Sequence, residues 1–276
     1  MSEFRKPDRQ ERRRFLTVYG RKAVLEALGD RQMDCRILHL AKSNRSGGVL
    51  QEIQDAAQAK GLDCREHSRE ELARISRNGR QDQGVALDVY CPAMRELDDY
   101  LDSLEDTLED TLEDTPDAPQ RLLALDGVTN PQNMGMVIRS AAAAGIDGVL
   151  YADRGNPALG PLVIKASAGT VFRAPLLRCQ TIFQASRSLC ESGFALYRLQ
   201  AKGTRTLFDG QAFADRALFV LGGESDGISR ELCELPGENL SIPMANGVES
   251  LNVAVSGALV AYVAAYMAAM QKPPKP

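Results

Sequence analysis

"RLLALDGVTNPQNMGMVIRSAAAAGIDGVLYA", residues 121 to 152, decides the fold. "RLLALDGV" is an apolar run that ends in polar residues, as a buried strand does, and it stops at Asp126-Gly127. Asn130-Pro131 makes a turn, and Asn133 stands at the start of a helical stretch as a natural cap. "GVLYA" (148–152) is a second strand. Working outward, the alternation continues. Strands are expected at 171–177, 194–199 and 217–221, with helices at 179–192 and 229–234. Residues 120–271 therefore read as an α/β domain with a mostly parallel sheet and helices on both faces.

In such sheets ligands sit beyond the carboxyl ends of strands. Three strand ends carry polar residues. The first holds Asn133, with Arg139 less than two turns further along the helix. A helix start offers unpaired N–H groups, so an anion suits that place, but a capped strand–turn–helix explains it equally. The second is "LFVLGGESDGISREL" (218–232), where Leu221 runs into Gly222-Gly223 and Glu224. It lacks both the GxGxxG spacing and the Gly-Lys-Ser/Thr of a P-loop, so neither dinucleotide nor ATP is indicated. The third is "SIPMANGVESLNVAVSGALVAY" (241–262), with Ile242, Met244, Ser250, Leu251 and Asn252 leading into an apolar helix. Here Ser250 can simply be an N-cap. Leu251 to Met270 is uncharged and long enough to span a bilayer, yet its alanines and polar interruptions fit a buried helix better.

Residues 15–92 form a smaller α/β unit. "VYGRKAVLEAL" (18–28) places Val24, Leu25 and Leu28 on one helical face after its Gly, "GVLQEIQDAAQAKG" (48–61) is an amphipathic helix, and "CRILHLA" (35–41) and "GVALDVY" (84–90) are strands. "SREELARIS" (68–76) opens with the capping-box pair Ser68 and Glu71.

Between the two lies 93–119, with the tandem repeat Leu-Glu-Asp-Thr. Leucines four apart do not make a heptad seam, and acidic neighbours on adjacent turns repel. The segment is expected to be a flexible acidic linker spanning roughly 25–30 Å. Charge is correspondingly uneven. Between Glu96 and Asp117 there are 11 acidic and no basic residues, which turn a body of +7 into a chain of −4. A mildly basic body is compatible with nucleic acid. Residues 1–14 carry six Lys or Arg and read as a solvated tail, or as an arm that touches RNA. No apolar stretch follows them, so they are not a secretory signal.

The six cysteines form no CxxC pair and read as reduced thiols of a cytoplasmic protein. Two histidines, His39 and His67, are too few for a His-rich metal site, so no metal is expected.

Together the three strand-end motifs, "NPQNMG…R", "GGESDG" and "IPMANGVESLNV", resemble the SpoU/TrmH branch of the SPOUT RNA methyltransferases. "YGRKAVLEAL" and "QGVALDV" resemble the start and end of that family's small RNA-holding domain. The resemblance implies a SPOUT-type domain with a trefoil knot, a homodimer packed through it, and S-adenosyl-L-methionine (AdoMet) as cofactor. Leu221, Gly222, Gly223, Ile242, Met244 and Leu251 fall where relatives line the adenosine pocket. Asn133, Arg139, Glu224, Ser250 and Asn252 match the polar active-site positions. The implied reaction is methyl transfer to a ribose 2′-hydroxyl. Arg139 then serves either as the activating base or as a phosphate-binding group that lowers the hydroxyl's pKa. The two-domain layout leans toward large-subunit rRNA over tRNA. A catalytically silent RNA-binding protein on the same fold is the rival reading.

Overall fold

The computed structural model describes residues 14–45, 47–110 and 119–271. The basic stretch before Arg14 and the later copies of the acidic repeat lie outside them. The chain divides into two compact units, Met1–Pro92 and Ala93–Pro276.

In the first unit the order is β1 (Phe15–Tyr19), α1 (Arg21–Gly29), β2 (Asp34–Ala41), α2 (Val49–Ala59), β3 (Asp63–His67), α3 (Arg69–Ser76) and β4 (Val85–Tyr90). The sheet runs β1-β4-β2-β3, with β2 and β3 parallel and both β4 pairings antiparallel. Strand β3, "DCREH", carries no apolar alternation because it is an edge strand. Val24, Leu28, Leu38, Ile53 and Leu87 are buried to 2% exposure or less. The capping box forms: Glu71 N–H donates to Ser68 Oγ at 3.2 Å, and Ser68 N–H donates to Glu71 Oε2 at 2.8 Å.

The second unit starts inside the expected linker. Its elements are β5 (Met94–Glu96), α4 (Leu97–Asp110), β6 (Gln120–Asp126), α5 (Pro131–Ala144), β7 (Gly148–Ala152), α6 (Pro161–Ala166), a 3-10 turn at Thr170–Phe172, β8 (Leu176–Cys179), α7 (Ile182–Glu191), β9 (Ala195–Leu199), β10 (Arg205–Thr206), β11 (Arg216–Gly222), α8 (Arg230–Glu234), β12 (Glu238–Ser241) and α9 (Val253–Gln271). Eight strands lie in the order β10-β12-β9-β11-β6-β7-β8-β5, and every pairing is parallel. The α/β reading holds. The strand expected at 171–177 is a 3-10 turn followed by β8.

The flexible-linker reading of 93–119 is corrected for its first part. Strand β5 extends the sheet by pairing with β8, and Leu97, Tyr100 and Leu104 are buried in the core with Leu122, Leu177 and Leu196. Leu97, Tyr100 and Leu104 are spaced three and four apart, so one helical stripe buries all three. Asp98 and Asp102 on the same helix are exposed to water. Leu104→Ala should cost about 2–4 kcal/mol in urea unfolding. A surface spacer would lose nothing.

Among the described residues, α9 is long and apolar enough to cross a membrane, and 44% of its apolar window is buried within the protein. The buried-helix reading holds for one face only. Val260, Ala261 and Ala264 are buried, and Gly257 lets α9 approach closely: a Cβ there would lie 2.8 Å from Leu221 Cδ1 and 3.2 Å from Val137. Val255, Tyr262, Tyr266 and Met270 are exposed. All six cysteines are free, and burial pushes the thiols of Cys91 and Cys179 up to about 12.

Candidate active site

β6 and β11 are adjacent and in register, so Asp126 lies beside Gly222 at their carboxyl ends. Both chains leave the sheet there, and side chains hold the exits in place. Asp126 Oδ2 accepts from Ser229 N–H at 2.7 Å, anchoring the loop after β11. Asn156, beyond β7, accepts from Ala152 N–H at 2.8 Å and donates to the carbonyls of Leu125 at 3.0 Å and Val128 at 3.1 Å. Neither residue stands out by spacing.

The cap of α5 is Asn130 rather than Asn133. Asn130 Oδ1 accepts from Gln132 N–H at 2.8 Å and Asn133 N–H at 3.4 Å, with Pro131 at the first helical position. Asn133 is thereby released from capping, and its buried side chain crosses to the neighbouring strand end. Its Nδ2 donates to Glu224 Oε1. Asn252 Nδ2 donates to Asn133 Oδ1 at 3.1 Å and to Glu224 Oε1 at 3.3 Å. The three motifs thus meet in one triangle of hydrogen bonds. Asn252 also caps α9, accepting from Ala254 N–H at 2.8 Å, so the cap considered for Ser250 belongs to Asn252.

Beside the triangle is a cleft of about 370 Å³. Its lining includes Leu221, Gly222, Gly223, Ile242, Met244 and Leu251, as well as Glu224, Ser250 and Asn252. Leu199, Gln200, Ala201, Glu249 and Ser256 also line it. The first three follow from β9 lying beside β11, which no motif signals. Asn133 braces the cleft from behind. Arg139 is not in the lining. It is exposed on α5, and no hydrogen bond or ion pair engages its side chain among the described residues.

The paired glycines are required by close approach. The loop after β11 folds back, and Gly223 and Gly227 exchange backbone hydrogen bonds of 3.1 and 3.0 Å. A Cβ on Gly222 would lie 2.2 Å from the Gly227 carbonyl carbon, and one on Gly223 would lie 2.4 Å from Gly127 O. Gly222→Ala is expected to open this loop and weaken ligand binding in the cleft at least tenfold by calorimetry.

Two family models match. The description SpoU rRNA Methylase family covers residues 120–262, and RNA 2′-O ribose methyltransferase substrate binding covers residues 17–91. An uncharacterized tRNA/rRNA methyltransferase of Mycolicibacterium vanbaalenii is 34% identical over 88% of this chain and 74% of its own length. One from Mycobacterium avium is 32% identical over 88% and 75%. The fold resembles the SpoU methyltransferase AviRb of Streptomyces viridochromogenes, solved with AdoMet, at a TM-score of 0.61 and 20% identity over 95% of this chain and 93% of that one. It also resembles an AdoMet-bound rRNA methyltransferase of Sinorhizobium meliloti, at a TM-score of 0.60 and 21% identity over 92% and 87%. With the three motifs joined at one cleft, and with both units matched, the chain belongs to the SpoU family of RNA methyltransferases.

Proposed function

We propose that this protein methylates a ribose 2′-hydroxyl of large-subunit ribosomal RNA, with AdoMet held in the cleft. The observation that carries the reading is the Asn133–Glu224–Asn252 triangle at an apolar cleft. The lining suits the cofactor chemically. Leu199, Leu221, Ile242, Met244 and Leu251 offer apolar contact to an adenosine, and Glu224 and Glu249, its charged members, are opposite in sign to a sulfonium. When bound, AdoMet supplies an already activated methyl group, so the protein has mainly to align and deprotonate a hydroxyl.

Glu224 Oε1 accepts two amide protons and acts as a brace, while its other oxygen has no partner among the described residues. The Ser250 hydroxyl makes no hydrogen bond within the described fold and lines the cleft, so it is available to substrate. Arg139 reaches the RNA from the α5 face, pairing with the phosphate beside the reacting ribose. Met136, one turn before it, is exposed, as are Leu162 on α6 and the α9 stripe of Val255, Tyr262, Tyr266 and Met270. We assign this apolar face to a homodimer contact, which would also cover the surface that makes α9 resemble a membrane span. A trefoil threading of the chain around residues 242–252 belongs to the same reading.

Purified protein incubated with methyl-labelled AdoMet and total RNA from cells lacking this gene provides the test. The expected result is label in large-subunit rRNA that survives alkaline hydrolysis as dinucleotides, because a methylated 2′-oxygen cannot attack its phosphate. Label in tRNA would overturn the substrate, and label released as mononucleotides would overturn the ribose. No label and no AdoMet binding would favour the silent RNA-binding reading.

A further inference from the structure

The first unit joins the chain's two histidines in a wire that the methyl-transfer chemistry does not use. His39 is 5% exposed and lies in the middle of the sheet. Its Nε2 is 3.0 Å from Asp88 Oδ2, and its Nδ1 is 2.9 Å from His67 Nε2. Asp88 is fixed from its other oxygen, which accepts from Thr17 Oγ1 at 2.7 Å. The carboxylate can only accept, so His39 carries its proton on Nε2. With one proton on each ring, its Nδ1 is then the acceptor and His67 donates from Nε2. The free lone pair of the whole chain is therefore His67 Nδ1, which has no partner among the described residues. His67 is half-buried.

A proton arriving at His67 Nδ1 breaks no hydrogen bond. The wire thus opens to solvent protons at His67 Nδ1, and an added proton is shared between the two rings with Asp88 behind them as counter-charge.

His67 ends β3 at one rim of the sheet. Lys42 N–H donates to its carbonyl at 2.9 Å, and the β2–β3 register places Ala41 opposite it. The same rim carries the start of β4 and the loop before it. Asn44 Nδ2 donates to Gly84 O at 2.8 Å, Arg21 N–H to Gln83 Oε1 at 3.0 Å, and Asn78 Nδ2 to Tyr19 Oη at 3.0 Å. Lys42, Arg45, Arg77 and Arg80 project from these loops, exposed and without an ion pair among the described residues. Of the nearby carboxylates, Glu66 and Glu70 are exposed without a partner among the described residues, and two others are engaged. Asp82 is buried and accepts from Ser76 Oγ and Gly84 N–H, and Glu71 is held in its capping box.

We propose that this rim binds RNA backbone phosphates and that His67 is a protonatable contact within it, so that RNA binding takes up a proton. The proposal rests on the RNA-methyltransferase reading. The groups facing His67 are His39, Lys42, Arg65 and Glu71, with Asp88 behind His39. Desolvation first, then His39, Arg65 and Lys42, lower its pKa from the ordinary value, against an opposing pull from Glu71. Free His67 is accordingly mostly neutral at pH 7, and a phosphate placed among the rim cations would draw the proton on.

The test is binding of the full chain to a fluorescein-labelled RNA stem-loop from pH 7.0 to 5.5 at constant salt, a window in which the α-amino group stays protonated. Affinity should rise as pH falls, by up to about tenfold per unit for one proton. His67→Gln, whose amide can still donate to His39, should flatten that slope. Lys42→Ala should weaken binding at every pH and keep the slope. With two histidines in the chain, imidazole NMR of the free and RNA-bound protein assigns the titrating ring directly, and the His67 pKa should rise on binding. An equal slope in wild type and His67→Gln, or an unmoved His67 pKa in bound RNA, overturns the proposal while the family reading stands. No RNA binding at any pH overturns both.

Discussion

Arg139→Ala should lower methyl transfer by at least about 100-fold while leaving melting temperature and AdoMet affinity at wild-type values. The fold does not use this side chain: it is exposed on α5 and unpaired among the described residues, and it is absent from the cleft lining. Whatever it contributes must therefore come from a group outside its own chain, RNA on the proposed reading. A guanidinium is a poor base at neutral pH, whereas its planar fork matches a phosphate. Arg139→Lys separates the two roles. If phosphate pairing is the role, lysine keeps the charge and restores part of the rate with the pH profile unmoved. If proton abstraction is the role, lysine shifts the pH–rate profile. A wild-type rate in the alanine variant would remove Arg139 from the mechanism.

The largest stability effect is expected at Arg198. This side chain is 4% exposed and has no carboxylate partner among the described residues. Its Nε donates to Asn239 Oδ1 at 2.8 Å, its Nη1 to the carbonyls of Leu232, Cys233 and Leu235 at 2.9, 3.2 and 2.6 Å, and its Nη2 to Gly237 O at 2.8 Å. It closes the carboxyl end of α8 and sets the turn into β12, beside the Leu199–Ala201 wall of the cleft. Arg198→Ala would strand several carbonyls in the interior at once. The expected cost is about 3–5 kcal/mol, seen as a fall in melting temperature of about 10 °C or more for a unit of this size. Loss of AdoMet binding should accompany it. Arg198→Lys should recover little, since one ammonium cannot serve acceptors arranged around a planar fork. A shift of under about 2 °C would mean that water replaces the guanidinium.

Much was legible along the chain because the signals are local. Apolar runs bounded by Gly and Pro mark β6, β7, β9 and β11. Helical spacing marks α2, α5 and α7, and Ser68 with Glu71 marks the start of α3. β3 and β5 escaped because edge strands need no apolar face, and α6 because six residues are too few to show a period. The acidic helix was misjudged because its carboxylates dominate the composition, while its core stripe rests on three side chains, Leu97, Tyr100 and Leu104.

The sequence by itself determined the α/β class and the order of the three strand-end motifs. Only the tertiary structure decided which of them touch. Asn133 meets Glu224 across 91 positions and Asn252 across 119, because β6 and β11 lie side by side in register and α9 packs back against β11 and α5. In the first unit, the pairing of β2 with β3 and β4 brings His39 to His67 and Asp88. Spacing along a chain encodes the period of a helix or strand, a property of a few neighbouring residues. Contacts between distant segments depend on which strands pair and in what register, and that is settled by burial of the whole core at once.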